Sequence, residues 1–210
     1  MEMPMFPLGA VLLPGESLSL NVFEPRYVAL LERCLDGESE PEFGVVLIAR
    51  GREVGGGDVR TDVGTIAGLT NVVELPGKRF RVRATGTERI RINTWLPDDP
   101  YPIADVMLWP DEPGLDDTTL LADLTTRVDE LRNLTITAAK KAGIRRPTLP
   151  SALTKLPTDP TERSYEICAR LPIGATDRQA ALAAPDPTTR LAALITAVDD
   201  AIAILRFRLQ

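Results

Sequence analysis

The sequence predicts an α+β protein in which a β-rich first half precedes a helical second half. In the first half, apolar and polar residues alternate with a period of two, as at residues 17–22, which is typical of half-buried strands. The composition changes at residues 110–114, and beyond them apolar residues recur at helical spacing. We therefore divide the chain into a β domain, residues 1–112, and an α-helical subdomain, residues 113–210.

Several short strands separated by glycine-containing turns are predicted along the β half. A β-branched run at residues 43–49 is typical of a strand buried on both faces, and another run at 64–75 ends in a Pro-Gly turn. Arginines then alternate with apolar residues until Gly86, which we expect to interrupt the pattern, and a last strand lies near residues 103–109. Such a meander of antiparallel strands indicates a closed or nearly closed barrel, or a sandwich.

One helix is predicted among these strands and several are predicted after them. Glu24 is a candidate N-cap with Pro25 at the first helical position, and Gly37 stands where a terminating glycine is expected. The last helix carries an apolar stripe that packs either within the helical half or against a second copy, and we favour the first. Candidate N-caps in the helical half are Asp116 or Asp117, Asp159, Thr176 and Asp186.

The composition excludes several kinds of catalytic chemistry. The 210 residues contain no histidine, which removes Ser-His and Cys-His nucleophiles and every histidine-containing zinc site. The two cysteines, Cys34 and Cys168, are too few for a structural zinc cluster, and we expect both to be buried thiols. The glycine-rich stretches 55–58 and 77–79 do not match a phosphate-binding loop and are interpreted as hairpin tips. We expect no catalytic residue, metal or cofactor.

Charge and hydropathy narrow the expected partners. A net charge of −6 disfavours a general nucleic-acid binder, because phosphate contacts need clustered positive charge. No apolar run approaches the roughly 20 residues that a membrane span needs. The N-terminus also lacks the basic region of a secretory signal. We therefore expect a cytoplasmic protein that does not enter a membrane.

The opening stretch contains a distinctive motif, Phe23-Glu24-Pro25-Arg26-Tyr27, which follows three shorter segments at residues 6–9, 11–15 and 18–22. In this order the segments resemble a known family, the Lon N-terminal (LON substrate-binding) domain, and the motif is the most specific of them. The resemblance covers the first half closely and the second half more loosely, through residues 186–188 and the final helix. The similar segments are residues 6–9, 11–15, 18–22, 43–47, 63–67, 81–86, 89–96 and 101–104.

This resemblance implies a PUA-like β pseudo-barrel with one inserted helix, followed by a C-terminal α-helical bundle. In Lon proteases this region helps to recognise unfolded or tagged substrates, whereas an AAA+ module unfolds them and a Ser-Lys dyad cuts them. None of the four lysines here lies in a context that resembles the dyad, and no P-loop is present. We therefore expect a stand-alone, non-catalytic module that binds proteins or unfolded peptide segments.

Two sets of residues near the motif are candidate sites. We expect Leu18, Leu20 and Phe23 to form an apolar groove or an open strand edge that captures extended segments, although the first two are alternatively core residues. The motif itself is interpreted as a structural corner between a strand and a helix. There, Glu24 accepts from helix-start amides and Arg26 pairs with a nearby carboxylate.

Five arginines form a further candidate surface. Arg79, Arg81 and Arg83 are expected on one face of a strand, with Arg89 and Arg91 on the same face of its neighbour. The surface is either an electropositive patch for acidic peptide tails or RNA, or a solvated face neutralised by nearby acids, and we favour the second. No aromatic residue lies among these arginines to stack a base, which disfavours RNA. A PUA-like RNA-binding regulatory protein is therefore the alternative function.

Overall fold

A computed structural model describes residues 1–37, 40–51, 59–114, 117–145, 148–149 and 152–210. The chain divides into two compact units, Met1–Pro110 and Asp111–Gln210. The predicted hairpin tip at residues 55–58 and the alternative cap Asp116 lie outside the described residues.

The described part of the first unit is a six-stranded sheet with one helix. The sheet order is β2-β5-β4-β3-β1-β6, and β6 also pairs with the second half of β5. The pairing of β1 with β3 is parallel, whereas the other pairings are antiparallel. The elements are β1 (Glu2–Leu8), β2 (Ser17–Val22), α1 (Pro25–Cys34), β3 (Glu42–Arg50), β4 (Val59–Leu75), β5 (Arg79–Leu96) and β6 (Ile103–Leu108).

The pairing of strand β1 gives the sheet a topology that differs from the predicted one. The sequence of β1 shows no polar alternation, because most of its residues are buried, and it contains Pro4 and Pro7. Proline normally argues against a paired strand, because it has no N–H to donate. The parallel pairing with β3 makes the sheet mixed, so the expected antiparallel meander is wrong for this part of the fold.

Strand β5 does not end at Gly86, but its register with β4 shifts between Gly86 and Arg89, so the predicted interruption of the alternating pattern lies at this point. The loop before β2 crosses β5 at this residue: Gly86 N donates to Glu16 O, and Gly15 N donates to Gly86 O, both at 2.8 Å. A Cβ atom on Gly86 would lie 2.2 Å from Leu13 O. Glycine therefore stands here because another backbone passes too close for any side chain.

The sheet and α1 enclose two apolar clusters. The larger one joins α1 to the strands below it and includes Phe6, Tyr27, Leu31 and Phe43. The smaller one lies among β1, β3, β4, β5 and β6, and includes Met5 and the partly buried Trp95. The amphipathic pattern of α1 places its apolar stripe on the larger cluster, as its helical spacing predicts.

The described part of the second unit contains four helices: α2 (Thr118–Lys141), α3 (Pro160–Arg170), α4 (Ala175–Leu182) and α5 (Pro187–Leu209). No helix in the described ranges combines the length and apolarity that a membrane crossing requires.

Two of the predicted helix caps are confirmed by side-chain hydrogen bonds, a third is confirmed in position only, and the cap at Thr176 is wrong. Asp159 and Asp186 each accept a hydrogen bond from a backbone amide at 2.9 Å, as the capping pattern predicts. Helix α4 begins one residue before Thr176, and its cap is Gly174, whose amide donates to Asp177. Asp117 is the N-cap residue of α2, as predicted, but its carboxylate forms no capping hydrogen bond and pairs with Arg163 Nη2 at 2.7 Å.

A buried arginine connects the elements of the second unit. Arg190 has no exposed surface, and its guanidinium pairs with both carboxylate oxygens of Asp111 at 2.7 and 2.8 Å. It also donates to the hydroxyls of Ser164 and Tyr165 at 2.8 and 2.9 Å, and its Nε donates to Ala181 O at 3.0 Å. Arg190 therefore ties α3, α4 and α5 to the segment before α2.

We expect Gly86→Ala to destabilise the protein by about 1–3 kcal/mol, because the new methyl group forces two backbones apart. The measurement is the free energy of unfolding in urea. Gly68→Ala is the matched control, since a Cβ at Gly68 would lie 3.5 Å from Thr87 Cγ2, an ordinary contact. Equal stability of the two variants would contradict the close approach at Gly86.

We expect Arg190→Ala to cost about 3–5 kcal/mol, because it leaves the Asp111 carboxylate buried without its partner. Loss of helical circular dichroism in urea gives the change in stability. The control is Arg206→Ala, which removes an exposed pair with Glu130 and should cost less than about 1 kcal/mol. A loss at Arg190 no larger than at Arg206 would refute the role of the buried pair.

Candidate functional site

Strand β2 lies at one end of the sheet order. Within the described residues it pairs with β5 alone, so one side of its backbone is not used by the sheet. Its exposed side chains are short and polar, Ser17, Ser19 and Asn21, whereas Leu18 and Leu20 are half-buried against the larger apolar cluster. An edge strand presents N–H and C=O groups on which a further strand can pair.

A small apolar cleft lies where β2 ends and α1 begins. Its volume is about 120 Å³. Leu20 and Phe23, two of the three predicted peptide-binding residues, line it, whereas Leu18 does not. The Phe23 side chain in this lining is 62% exposed. The complete lining consists of Phe6, Leu8, Leu20, Asn21, Val22, Phe23, Glu24 and Tyr27.

The motif at residues 23–27 builds one wall of this cleft. The Tyr27 ring stacks on Phe6 with a centroid distance of 3.9 Å, and the Arg26 guanidinium carbon lies 4.4 Å from the Tyr27 centroid. The Glu24 carboxylate pairs with Arg26 at 3.2 Å and forms no cap, so the predicted side-chain cap is wrong. The Glu24 carbonyl instead accepts from the amides of Tyr27 and Val28.

Arg79, Arg81 and Arg83 lie exposed on one face of β5, and we call them the arginine row. Arg79 Nε donates to Pro76 O at 3.1 Å. Within the described part of the chain, the guanidinium groups of Arg81 and Arg83 form no hydrogen bond or ion pair. Among the described residues these two arginines thus have no direct acidic partner, and neutralisation of this face by acids farther away stays a prediction.

Arg89 and Arg91 do not extend this surface. They lie on the second half of the same strand, and Arg89 is buried at 4% exposure. Its Nε donates to Trp109 O at 2.8 Å, and the guanidinium carbons of both arginines lie within 4.0 Å of the Trp109 centroid. The prediction of one surface of five arginines without an aromatic neighbour is wrong, because Trp109 packs against this pair.

The Cys34 thiol is held in its protonated form. It is buried beside a second cleft that Glu2, Glu40 and Glu42 help to line, and its Sγ donates to Glu42 O at 3.2 Å. Burial raises the thiol pKa to about 11, opposed by the positive charge of Arg33. Both cysteines are buried thiols, as predicted. In the described ranges no three Cys, Asp or Glu side chains are grouped to hold a metal ion.

The first unit is thus an α+β unit whose sheet has an edge strand beside an apolar cleft. Residues 2–200 match the family described as the ATP-dependent protease La (LON) substrate-binding domain. The chain belongs to this family, and the resemblance found in the opening motif is confirmed.

Curated relatives are Lon proteases. The protein from Syntrophomonas wolfei is 31% identical over 101 residues, covering 48% of this chain and 12% of that protease. The protein from Escherichia coli K12 is 26% identical over 212 residues, covering 98% of this chain and 25% of that protease. The chain therefore spans a quarter or less of the length of these relatives.

Two solved structures have the same fold. A Lon N-terminal domain protein from Xanthomonas campestris has a TM-score of 0.61 and 24% identity, covering 93% of this chain and 98% of that one. The N-terminal domain of Lon protease from the Mycobacterium avium complex has a TM-score of 0.59 and 17% identity, covering 95% and 99%. Both place this chain in the Lon N-terminal domain fold, a mixed α+β architecture.

We expect alkylation of Cys34 by iodoacetamide at pH 8 to be about a hundredfold slower in the native Cys168→Ala variant than in urea, because the raised pKa depletes the thiolate. The preference for the protonated thiol stabilises the fold below the ordinary thiol pKa and is lost as the pH rises toward about 11. Mass spectrometry of timed samples measures the rate. Equal rates in both states would contradict a buried thiol.

Proposed function

We propose that this protein is a non-catalytic recognition domain that binds extended or unfolded segments of other proteins. The observation that carries the proposal is the position of the β2 edge beside the cleft and the exposed Phe23. Membership of a family described as substrate-binding supports the same role.

The chemistry of strand addition suits this edge. A segment that pairs with β2 forms main-chain hydrogen bonds whatever its sequence, so many unfolded chains are acceptable. Every second side chain of that segment then faces the side of Leu18 and Leu20, because strand side chains alternate. Burying an apolar side chain against Phe23 contributes up to about 1.5–3 kcal/mol. The main-chain hydrogen bonds therefore provide the affinity, and the apolar contacts provide the preference for some segments over others.

Within these 210 residues we propose recognition without catalysis. The sequence contains no histidine and no P-loop, and the Cys34 thiol is protonated at neutral pH. None of its serines lies in a sequence motif that would activate the hydroxyl as a nucleophile. The buried Ser164 hydroxyl donates to Thr161 O and accepts from Arg190. These features support binding as the role of this part of the protein.

We also infer that the first unit is a PUA-like pseudo-barrel and that the second is a helical bundle. The additional pairing of β5 with β6 supports the first inference, because it curls the sheet so that β5 pairs with β4 on one side and β6 on the other. The packing of α5 along α2, α3 and α4 supports the second. Domain limits of 1–112 and 113–210 belong to the same proposal.

We expect fluorescently labelled, reduced and carboxymethylated α-lactalbumin, a permanently unfolded chain, to bind the protein, and Phe23→Ala to weaken that binding. The loss should be about tenfold, since the ring no longer buries an apolar side chain. Fluorescence anisotropy measures the Kd of each variant.

The matched control is Phe207→Ala, which removes a side chain that is 77% exposed on α5. Its Kd should equal that of the unmodified protein. Absence of binding by the unmodified protein would refute recognition of unfolded segments. An equal loss in both variants would show that the cleft is not the site.

A further inference from the structure

The arginine row lies one strand away from the free edge of β2. In the register of the two strands, Arg83 is opposite Ser19 and Arg81 is opposite Asn21. Both β2 side chains are exposed and shorter than arginine. A guanidinium on β5 and a long acidic side chain on a strand paired at the other side of β2 can therefore meet above β2, because their backbones lie about 10 Å apart, or two strand spacings.

None of the residues that pair with the arginine row on the neighbouring strands is acidic. On β4 the partners of Arg83, Arg81 and Arg79 are Asn71, Val73 and Leu75. Neither these residues nor Ser19 and Asn21 on β2 are acidic, although the whole chain has a net charge of −6. Carboxylates form strong charge-assisted hydrogen bonds with guanidinium groups, so the row favours acidic side chains.

We propose that the segments bound at β2 carry acidic residues at alternate positions, facing the arginine row, with apolar residues between them. This inference rests on the proposed function and specifies its substrate class. Arg81 and Arg83 lie two residues apart on β5. Side chains on one face of the bound segment are also two residues apart, so the spacing of its acidic residues matches the spacing of the arginines. The intervening side chains face the opposite side, toward Leu18 and Leu20.

Charge and aromatic content favour an acidic peptide over RNA at this surface. Single-stranded RNA recognition uses aromatic rings that stack on bases, and none of the positions in register with the arginine row is aromatic. Trp109 packs against the other arginine pair, Arg89 and Arg91, and does not serve this purpose.

The test uses short labelled peptides and fluorescence anisotropy. One peptide alternates Glu with Val and Leu, a second has Gln at each Glu position, and a third contains the residues of the first with all Glu in one block. We expect the alternating acidic peptide to bind about tenfold more tightly than the other two. The preference should largely disappear at about 0.5 M salt, because exposed charges are screened.

The variant Arg81→Gln/Arg83→Gln should lose the preference for the acidic peptide and keep the affinity for the Gln peptide. Arg81→Lys/Arg83→Lys should restore most of the preference, which a misfolded surface would not allow. The matched control is Arg145→Gln/Arg208→Gln, which changes the net charge equally at two exposed positions of the second unit. This control variant should prefer the acidic peptide over the Gln peptide as strongly as the unmodified protein does.

Three results overturn the inference, and they are distinguishable. Equal affinity for the acidic and Gln peptides shows that the arginine row has no role, while binding itself still supports the proposed function. Absence of binding by every peptide and by the unfolded protein refutes both. Binding of single-stranded RNA that depends on Arg81 and Arg83, and that the acidic peptide does not displace, assigns the row to nucleic acid instead.

Discussion

The candidate site depends on a close approach of two backbones at Gly86. The loop before β2 crosses β5 there, and hydrogen bonds of Gly15 and Glu16 with Gly86 set the register in which Ser17 enters the sheet. Upstream, the buried Thr65 hydroxyl donates to Leu12 O at 2.7 Å and holds the same loop against β4. A larger residue at this crossing would displace the loop, and β2 would lose its position at the edge.

The second unit is organised around a buried charge instead. Replacing a buried ion pair with apolar residues is often neutral or stabilising, but removing one partner is strongly unfavourable. Arg190 satisfies its donors through Asp111, Ser164, Tyr165 and Ala181, so its desolvation is compensated by five hydrogen bonds from several elements. These directional bonds constrain where α3, α4 and α5 meet, which apolar packing alone specifies less tightly.

Arginine has three different roles in this protein, and local sequence does not distinguish them. Arg190 is buried in a hydrogen-bonded network, Arg89 is buried against Trp109, and Arg81 is exposed without a partner in the described residues. In the sequence, Arg81 and Arg89 belong to the same alternation of arginines with apolar residues. In the structure, the register of β5 against β4 shifts between Gly86 and Arg89, which puts the two side chains out of phase, and Trp109 packs against Arg89. A surface assigned from alternation alone therefore included Arg89, which is not on the surface.

Sequence patterns were enough to predict the family, the order of a β half and a helical half, the amphipathic α1, and the caps Asp159 and Asp186. These features depend on residues close together in the chain, whose periods and capping hydrogen bonds are local. Three further features could be seen in the folded chain alone: β1 pairs in parallel with β3, β5 continues past Gly86, and β2 forms an edge beside the cleft. Each of these depends on backbone or side-chain partners that are remote in sequence. Local periodicity does not specify which remote segment will be the neighbour.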